Sequence, residues 1–283
     1  MPVLEISDLI TAYDPATGRR IPVRRDATVR QLLDAGDGRA ARIVSKLPED
    51  DGVLDPAAVD RILIRVHTEL QRLNEELQMA AQVAELIDPI LRAVRMAGLS
   101  IARPRVVDIG CGLGYVIRWL AATAALGDVE LCGVDLNGAL VTRAQQLAEA
   151  ENLDCRFVRG DAFDLPEPAT IYISTGLLHH IRGGDLAAFF RAQANSEAIA
   201  YCHFDVAATR LAPIGAWVFH RARMREPLGR HDGVASARRA HDDHELMAAA
   251  EGIGLVPMLY RPARHTNPFA RRYGRFSAYA PNS

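Results

Sequence analysis

The chain has 283 residues, 49% of them apolar and 24% charged, with a formal net charge of −2. This is longer than an average domain of ~100–200 residues and ample to bury a core, and the composition argues against disordered, collagen-like and disulfide-scaffold classes. No run approaches the ~18 uninterrupted apolar residues of a membrane helix, and near-neutral charge argues against nucleic acid or a membrane surface as partner.

No basic segment followed by an apolar one opens the chain, so no secretory leader is expected. Lys46 is the only lysine among 33 basic residues. Beside so much alanine, that bias is the mark of a GC-rich coding genome. Cys111, Cys132, Cys155 and Cys202 are scattered without a C-x-x-C pair. The pattern suits reduced thiols in a cytoplasmic protein and no metal site.

In chain order, residues 1–55 are turn-rich, punctuated by Asp14-Pro15, Thr17-Gly18 and Gly36-Asp37-Gly38, with short helices expected at Ala27–Asp34 and Arg39–Lys46. Asp55-Pro56 is a helix start. From there Val59, Ile62, Leu63, Val66, Leu70, Leu73, Leu77, Ala80, Ala84 and Ile87 recur at steps of three and four. The spacing predicts one long amphipathic helix to Asp88, broken or kinked at Pro89, a second stretch to Met96 and a stop at Gly98. Residues 1–103 are therefore expected to form a helical cap on a domain made of residues 104–283, with a dimer interface or a mobile lid as the other readings.

From Arg105 the pattern alternates. Strands are expected at Val106–Ile109, Val129–Val134, Cys155–Val158, Thr170–Ser174, Ala198–Phe204, Leu255–Tyr260 and Arg275–Ala280. Helices are expected at Tyr115–Ala125, Ala139–Glu149, Leu186–Ala194 and His244–Glu251. Such alternation implies an α/β fold with a mainly parallel sheet covered on both faces. Between the fifth strand and the last helix, residues 207–239 form an insertion rich in arginine and bulky side chains.

The first strand enters Asp108-x-Gly110-x-Gly112-x-Gly114. Glycines between a strand and a helix let the backbone turn sharply and approach a ligand closely. A dinucleotide loop would put its third glycine at position 115, which is Tyr115, and a phosphate-binding P-loop would need a lysine that is absent. The spacing resembles that of class I S-adenosylmethionine-dependent methyltransferases. Asp135 ending the second strand, Gly160-Asp161-Ala162-Phe163 after the third and Leu177-Leu178-His179-His180-Ile181 after the fourth match the same family in order. The resemblance covers residues 105–181. It implies a Rossmann-like fold with a seven-stranded sheet and S-adenosylmethionine as cofactor, S-adenosylhomocysteine being the product.

Carried over residue by residue, the resemblance implies that Asp108, Gly110, Cys111, Gly112 and Gly114 pack on the methionine part of the cofactor. Asp135, with Leu136 beside it, would grip the ribose diol. Asp161, Ala162 and Phe163 would border the adenine, and Thr175 would stand at the reacting end. His180 is the first candidate for a base, with His203 and His179 as alternatives. His241-Asp242-Asp243-His244-Glu245 opens a helix, so capping by Asp242 or Asp243 is expected there rather than a metal. Trp217, Phe219 and Met224 in the insertion are candidates to stack on an acceptor, and its arginines to pair with an anionic group; an amphipathic helix with solvated arginines is the competing reading.

The expected activity is methyl transfer to oxygen or carbon of a small aromatic, polyketide-like or quinone-like molecule, without nucleic-acid or membrane partners. A macromolecule methyltransferase is the alternative, as is a non-catalytic cofactor-binding protein. The fourth strand lacks the Asn/Asp-Pro-Pro-Tyr/Phe pattern associated with amine methylation.

Overall fold

The computed structural model describes residues 3–15, 17–97, 103–260 and 273–279. Thus Gly98, the expected helix stop, lies outside the described residues. The chain forms two compact units, Met1–Leu73 with Ala208–Ala240, and Asn74–Ala207 with His241–Ser283. The contacts therefore do not divide the chain at residue 104 as expected. The first unit takes in the insertion, and the helix before the sheet belongs to the second.

The first unit is helical. It comprises α1 (Ile6–Ile10), α2 (Arg25–Asp34), α3 (Gly38–Val44), most of α4 (Pro56–Glu76) and two helices of the insertion, Ala212–Arg223 and Pro227–Arg239. A two-stranded hairpin, Glu49–Asp50 against Val53–Leu54, precedes α4. The insertion helix Pro227–Arg239 packs on α1 and α3, and its partner Ala212–Arg223 packs on it.

Polar anchors fix this assembly. A five-residue helix cannot satisfy its own first-turn amides. Asp232 does so for α1, accepting from the N–H groups of Ile6 at 2.9 Å and Ser7 at 2.8 Å. His231 bridges Asp232 and Asp37, with 2.7 Å to each. Arg239, itself buried, reaches Asp8 at 2.6 Å and Glu5 at 3.4 Å.

The second unit is a three-layer α/β/α sandwich. Its seven strands are β1 (Arg105–Ile109), β2 (Glu130–Asp135), β3 (Arg156–Arg159), β4 (Ile171–Thr175), β5 (Ala200–Asp205), β6 (Leu255–Tyr260) and β7 (Tyr273–Tyr279). They lie in the order β3-β2-β1-β4-β5-β7-β6, with β1 to β5 parallel and β7 antiparallel to both neighbours.

Alternation along each strand feeds two cores. Val106, Ile171, Ile173, Cys202 and Phe204 face α5 (Met79–Met96), α6 (Tyr115–Thr123) and α7 (Gly138–Ala150). Val107, Ile109, Tyr172 and Tyr201 face α8 (Gly184–Ala194) and, past the insertion helices α9 (Ala212–Arg223) and α10 (Pro227–Arg239), α11 (Asp243–Ala249). Val83, Ile87 and Leu91 of α5 share a core with Ile117 and Leu120 of α6, which is why α5 groups with the sheet. All four cysteines are free. Burial pushes the Cys202 thiol up to about 12 and those of Cys132 and Cys155 to about 11.

The helix break comes earlier than the periodicity suggests. Gln78, not Pro89, separates α4 from α5, with φ at +52°. The Gln82 side chain donates to the Leu77 carbonyl at 2.8 Å, satisfying a group the break leaves open. Pro89 stays inside α5, and it lies with Glu85 on the exposed side, where a carbonyl deprived of its donor meets water.

The His231 bridge makes the first unit pH-sensitive. Burial lowers the pKa of His231, but its bonds to Asp232 and Asp37 outweigh burial and leave it raised. A raised histidine stabilises the fold fully below its ordinary value of ~6.5, and that stability is lost as pH rises through the raised value. The advantage of the wild type over His231→Gln in urea unfolding is therefore expected to be largest near pH 6 and to shrink by pH 9. An advantage independent of pH would show that the bridge carries no charge.

Candidate cofactor and active site

The loop after β1 is forced to be glycine. Gly110, Gly112 and Gly114 have φ of +70°, +55° and +70°, a left-handed region costing other residues ~1–2 kcal/mol. Space is a second constraint. A Cβ at Gly114 would enter the Phe157 ring, and one at Gly110 would meet Leu177 Cδ1 at 3.0 Å.

The loop is tied to β2 through its backbone. Gly110 and Cys111 donate to the Val134 carbonyl at 2.8 and 3.0 Å. Gly112 N–H donates to Asp135 Oδ2 at 2.9 Å, and Asn137 N–H to Asp135 Oδ1 at 2.8 Å. Arg118, buried in α6, donates to the Leu113 carbonyl at 3.2 Å and pairs with Glu151. Sequence reasoning missed Arg118, because a mid-helix arginine gives no local sign of pointing back at a loop.

Asp135 is only half-buried, and each carboxylate oxygen has a lone pair left after one backbone bond. Next to it, Leu136 offers its carbonyl to Arg159 Nε at 3.0 Å. Gly160 N–H donates to the Asp135 carbonyl at 3.1 Å, which brings the segment after β3 beside β2. There Asp161 accepts from the Phe163 N–H at 2.9 Å, and Phe163, 43% exposed, sets its ring edgewise on Phe189. Ala162 between them is half-buried.

Asp108 lies beneath the loop. It is 1% exposed, and its Oδ1 has no hydrogen-bond partner among the described residues. Burial, with the charge of Asp135, pushes its carboxyl well above the usual range. Burial likewise raises the Cys111 thiol, with Asp135 and Asp108 adding to it, so Cys111 is a packing residue and no nucleophile.

The turn after β4 gathers histidines. Thr175, half-buried, ends the strand, and Gly176 N–H donates to the Phe204 carbonyl at 2.7 Å. Asp205, ending β5, then clamps a short 3-10 turn, Leu178–His180. It accepts from the His179 N–H at 3.0 Å and contacts His179 Nδ1 at 2.7 Å. Although burial raises the Asp205 carboxyl, the adjacent His179 and backbone donors win and hold it below its ordinary value. An ionised Asp205 accepts only, so the His179 Nδ1 carries the proton.

From the other side, buried His241 places Nε2 at 2.9 Å from the Leu178 carbonyl and 2.8 Å from that of Ile181. Its Nδ1 lies 2.9 Å from a Glu245 oxygen. Asp242 caps α11, accepting from Glu245 N–H at 2.8 Å, as expected.

The three histidines thus separate. His179 is buried and oriented by Asp205, while His180 is half-buried with its ring 4.3 Å from that of His179. His203 is not at the rim. It is 2% exposed, with Nδ1 at 2.8 Å from Ser174 Oγ and Nε2 at 2.9 Å from Gln193 Oε1, between Phe189 and Phe190. Its parity on β5 is that of Tyr201, toward α8, and this signal was available in the sequence. Of the residues expected to stack on an acceptor, Met224 is buried against Gly229 in the first unit, Phe219 is half-buried and Trp217 is exposed.

Residues 106–196, running from β1 past α8, match a family model described as a methyltransferase domain. Magnesium protoporphyrin IX methyltransferase from Synechocystis PCC 6803, solved with bound S-adenosylhomocysteine, aligns with a TM-score of 0.50 at 15% identity. The alignment covers 90% of this chain and 100% of that one. A methyltransferase from Aquifex aeolicus aligns at 0.45 and 12% identity, over 71% of this chain and 98% of that one. A curated relative, an uncharacterized RNA methyltransferase of Nitratidesulfovibrio vulgaris, is 44% identical over 68 residues. That stretch is 24% of this chain and only 14% of the relative's length.

Residues 106–196 are thus similar to a methyltransferase domain, and the second unit has the Rossmann-like fold of the Synechocystis protein. The cofactor that the sequence resemblance implies is S-adenosylmethionine. The residues present fit that cofactor. The unpartnered Asp108 oxygen suits an ammonium-bearing ligand, and the left-handed glycines leave backbone in place of side chains for the methionine part to approach.

Gly114→Ala is expected to lose more than the ~1–2 kcal/mol of a left-handed alanine, because the added methyl also displaces Phe157. Combining it with Phe157→Leu should recover part of the loss in urea unfolding. Additive losses would show that the close approach is unimportant.

Proposed function

We propose that the chain transfers the methyl group of S-adenosylmethionine to oxygen or carbon of a small aromatic, polyketide-like or quinone-like molecule. The carrying observation is the Asp205–His179 pair on adjoining carboxyl ends of β5 and β4. In an open α/β sheet ligands bind beyond those ends. The cofactor supplies a methyl group already activated by its sulfonium, so the chain's tasks are alignment, exclusion of water and removal of one proton.

His179 is the base we favour over His180. With Nδ1 directed at Asp205, Nε2 is the atom of His179 that would take the proton from a hydroxyl or an acidic carbon. Asp205 then stabilises the imidazolium that forms. His180, its ring tilted against that of His179, belongs to the same turn. Asp135 would hold the ribose diol with its two remaining lone pairs, and Asp161, Ala162 and Phe163 the adenine.

The chain leaves the second unit directly after β5 and returns at His241. On that connectivity we assign acceptor recognition to residues 208–240 with the N-terminal helices. The four unpaired thiols favour the cytoplasm as the compartment.

The match to the N. vulgaris protein favours a second reading, in which RNA is the acceptor. Methyl-labelled cofactor offered to total RNA and to a small-molecule extract separates the two. Label in the extract and not in RNA is expected, and the reverse result selects the second reading.

Two substitutions test the residues. Asp135→Ala is expected to weaken S-adenosylhomocysteine binding by ~1.5–3 kcal/mol in calorimetry, the worth of hydrogen bonds to a charged group. His179→Gln should lower kcat by ~10²–10⁴-fold while leaving cofactor affinity unchanged. If His180→Gln abolishes turnover and His179→Gln does not, the base is His180.

A further inference from the structure

Helix α9 presents an apolar face to solvent. Leu211, just before it, and Ile214, Trp217 and Val218 within it are 65, 61, 49 and 55% exposed. They recur at steps of three and four, so they lie on one side, opposite the buried Ala212 and Gly215. Isolated exposed apolar residues need no explanation, but a contiguous stripe of large ones marks a contact surface.

The charges that flank the stripe in sequence are of one sign. Arg210 precedes it and Arg221 ends it, with the Arg221 guanidinium 5.7 Å from the Trp217 ring centre. The sequence of α9, APIGAWVFHRAR, holds no acidic residue. The near-neutral charge of the whole chain hides this one-sided stretch.

We propose that this face of α9 lies flat on the surface of an anionic lipid bilayer. Its apolar stripe would enter the acyl boundary, Trp217 would sit at headgroup depth, and Arg210 and Arg221 would pair with lipid phosphates. The helix is far too short to cross, and none among the described residues is long and apolar enough to do so. Charge selects this occupant over a second copy of the chain. Two such faces meeting about a two-fold axis with antiparallel helices would bring the arginines of one against those of the other, with no acid on either helix to offset them. Phosphatidylglycerol supplies the missing negative charge.

The test uses the full chain and vesicles of phosphatidylcholine with and without phosphatidylglycerol. Co-sedimentation with the phosphatidylglycerol vesicles is expected, weakening with salt and absent with phosphatidylcholine alone. Ile214→Glu should abolish it, and the double variant Arg210→Gln/Arg221→Gln should weaken it tenfold or more. Both variants should keep the thermal shift given by S-adenosylhomocysteine, which reports a folded cofactor domain. The proposal is overturned if the wild type stays in the supernatant, or if it binds both vesicle types equally. It is also overturned if light scattering shows a dimer that Ile214→Glu dissolves. Should Ile214→Glu lose the thermal shift, the arginine variant decides alone.

Discussion

The second unit hangs on a constraint at the end of β1, where the backbone must turn through three left-handed positions beside an aromatic ring. Glycine alone meets both demands, conformation and space, at Gly114 against Phe157. The turn supports itself only in part: Gly114 N–H donates within it to the Cys111 carbonyl, but the amides of Gly110, Cys111 and Gly112 need acceptors outside. Val134 and Asp135 of the neighbouring strand provide them, so the β1–β2 register and the loop conformation are one requirement. Asp135 is thereby both a brace of the loop and its chemical feature. The group proposed to hold the ligand is positioned by the same bonds that make the turn possible.

Asp108 shows the other side of this economy. A buried carboxyl with an unpartnered oxygen is costly, and near a second carboxylate more so. The fold tolerates it under the loop, where a cationic ligand group would relieve it. The turn bearing His179 is built differently. Asp205 and His241 grip it by backbone and side chain from two elements, which fixes the ring before any substrate arrives.

The local structure of the proposed cofactor half was legible in the sequence because its signals are local. Asp108-x-Gly110-x-Gly112-x-Gly114, Asp135 at a strand end and Gly160-Asp161-Ala162 each depend on a few neighbouring residues and a strand direction. The sheet was legible for the same reason, with strand bounds correct to within a few residues. The histidines were not, because their roles turn on partners 26 and 60 or more residues away in sequence. His203 looked like a rim residue until β4 placed Ser174 opposite it. The break at Gln78 escaped because hydrophobic spacing runs straight through it. The anchors Asp37, His231, Asp232 and Arg239 escaped because nothing in residues 1–73 announces partners near residue 230.

Those anchors also order events in time. The first unit is assembled from two stretches separated by the whole run of β1 to β5, and α1 owes its first-turn bonds to Asp232. A chain emerging from the ribosome N-terminus first must therefore carry its opening helices unfinished while the sheet strands are being made. During that interval their apolar sides are uncovered, a period when such segments are prone to aggregate or to engage chaperones. These helices are synthesised before the sheet and completed only after it.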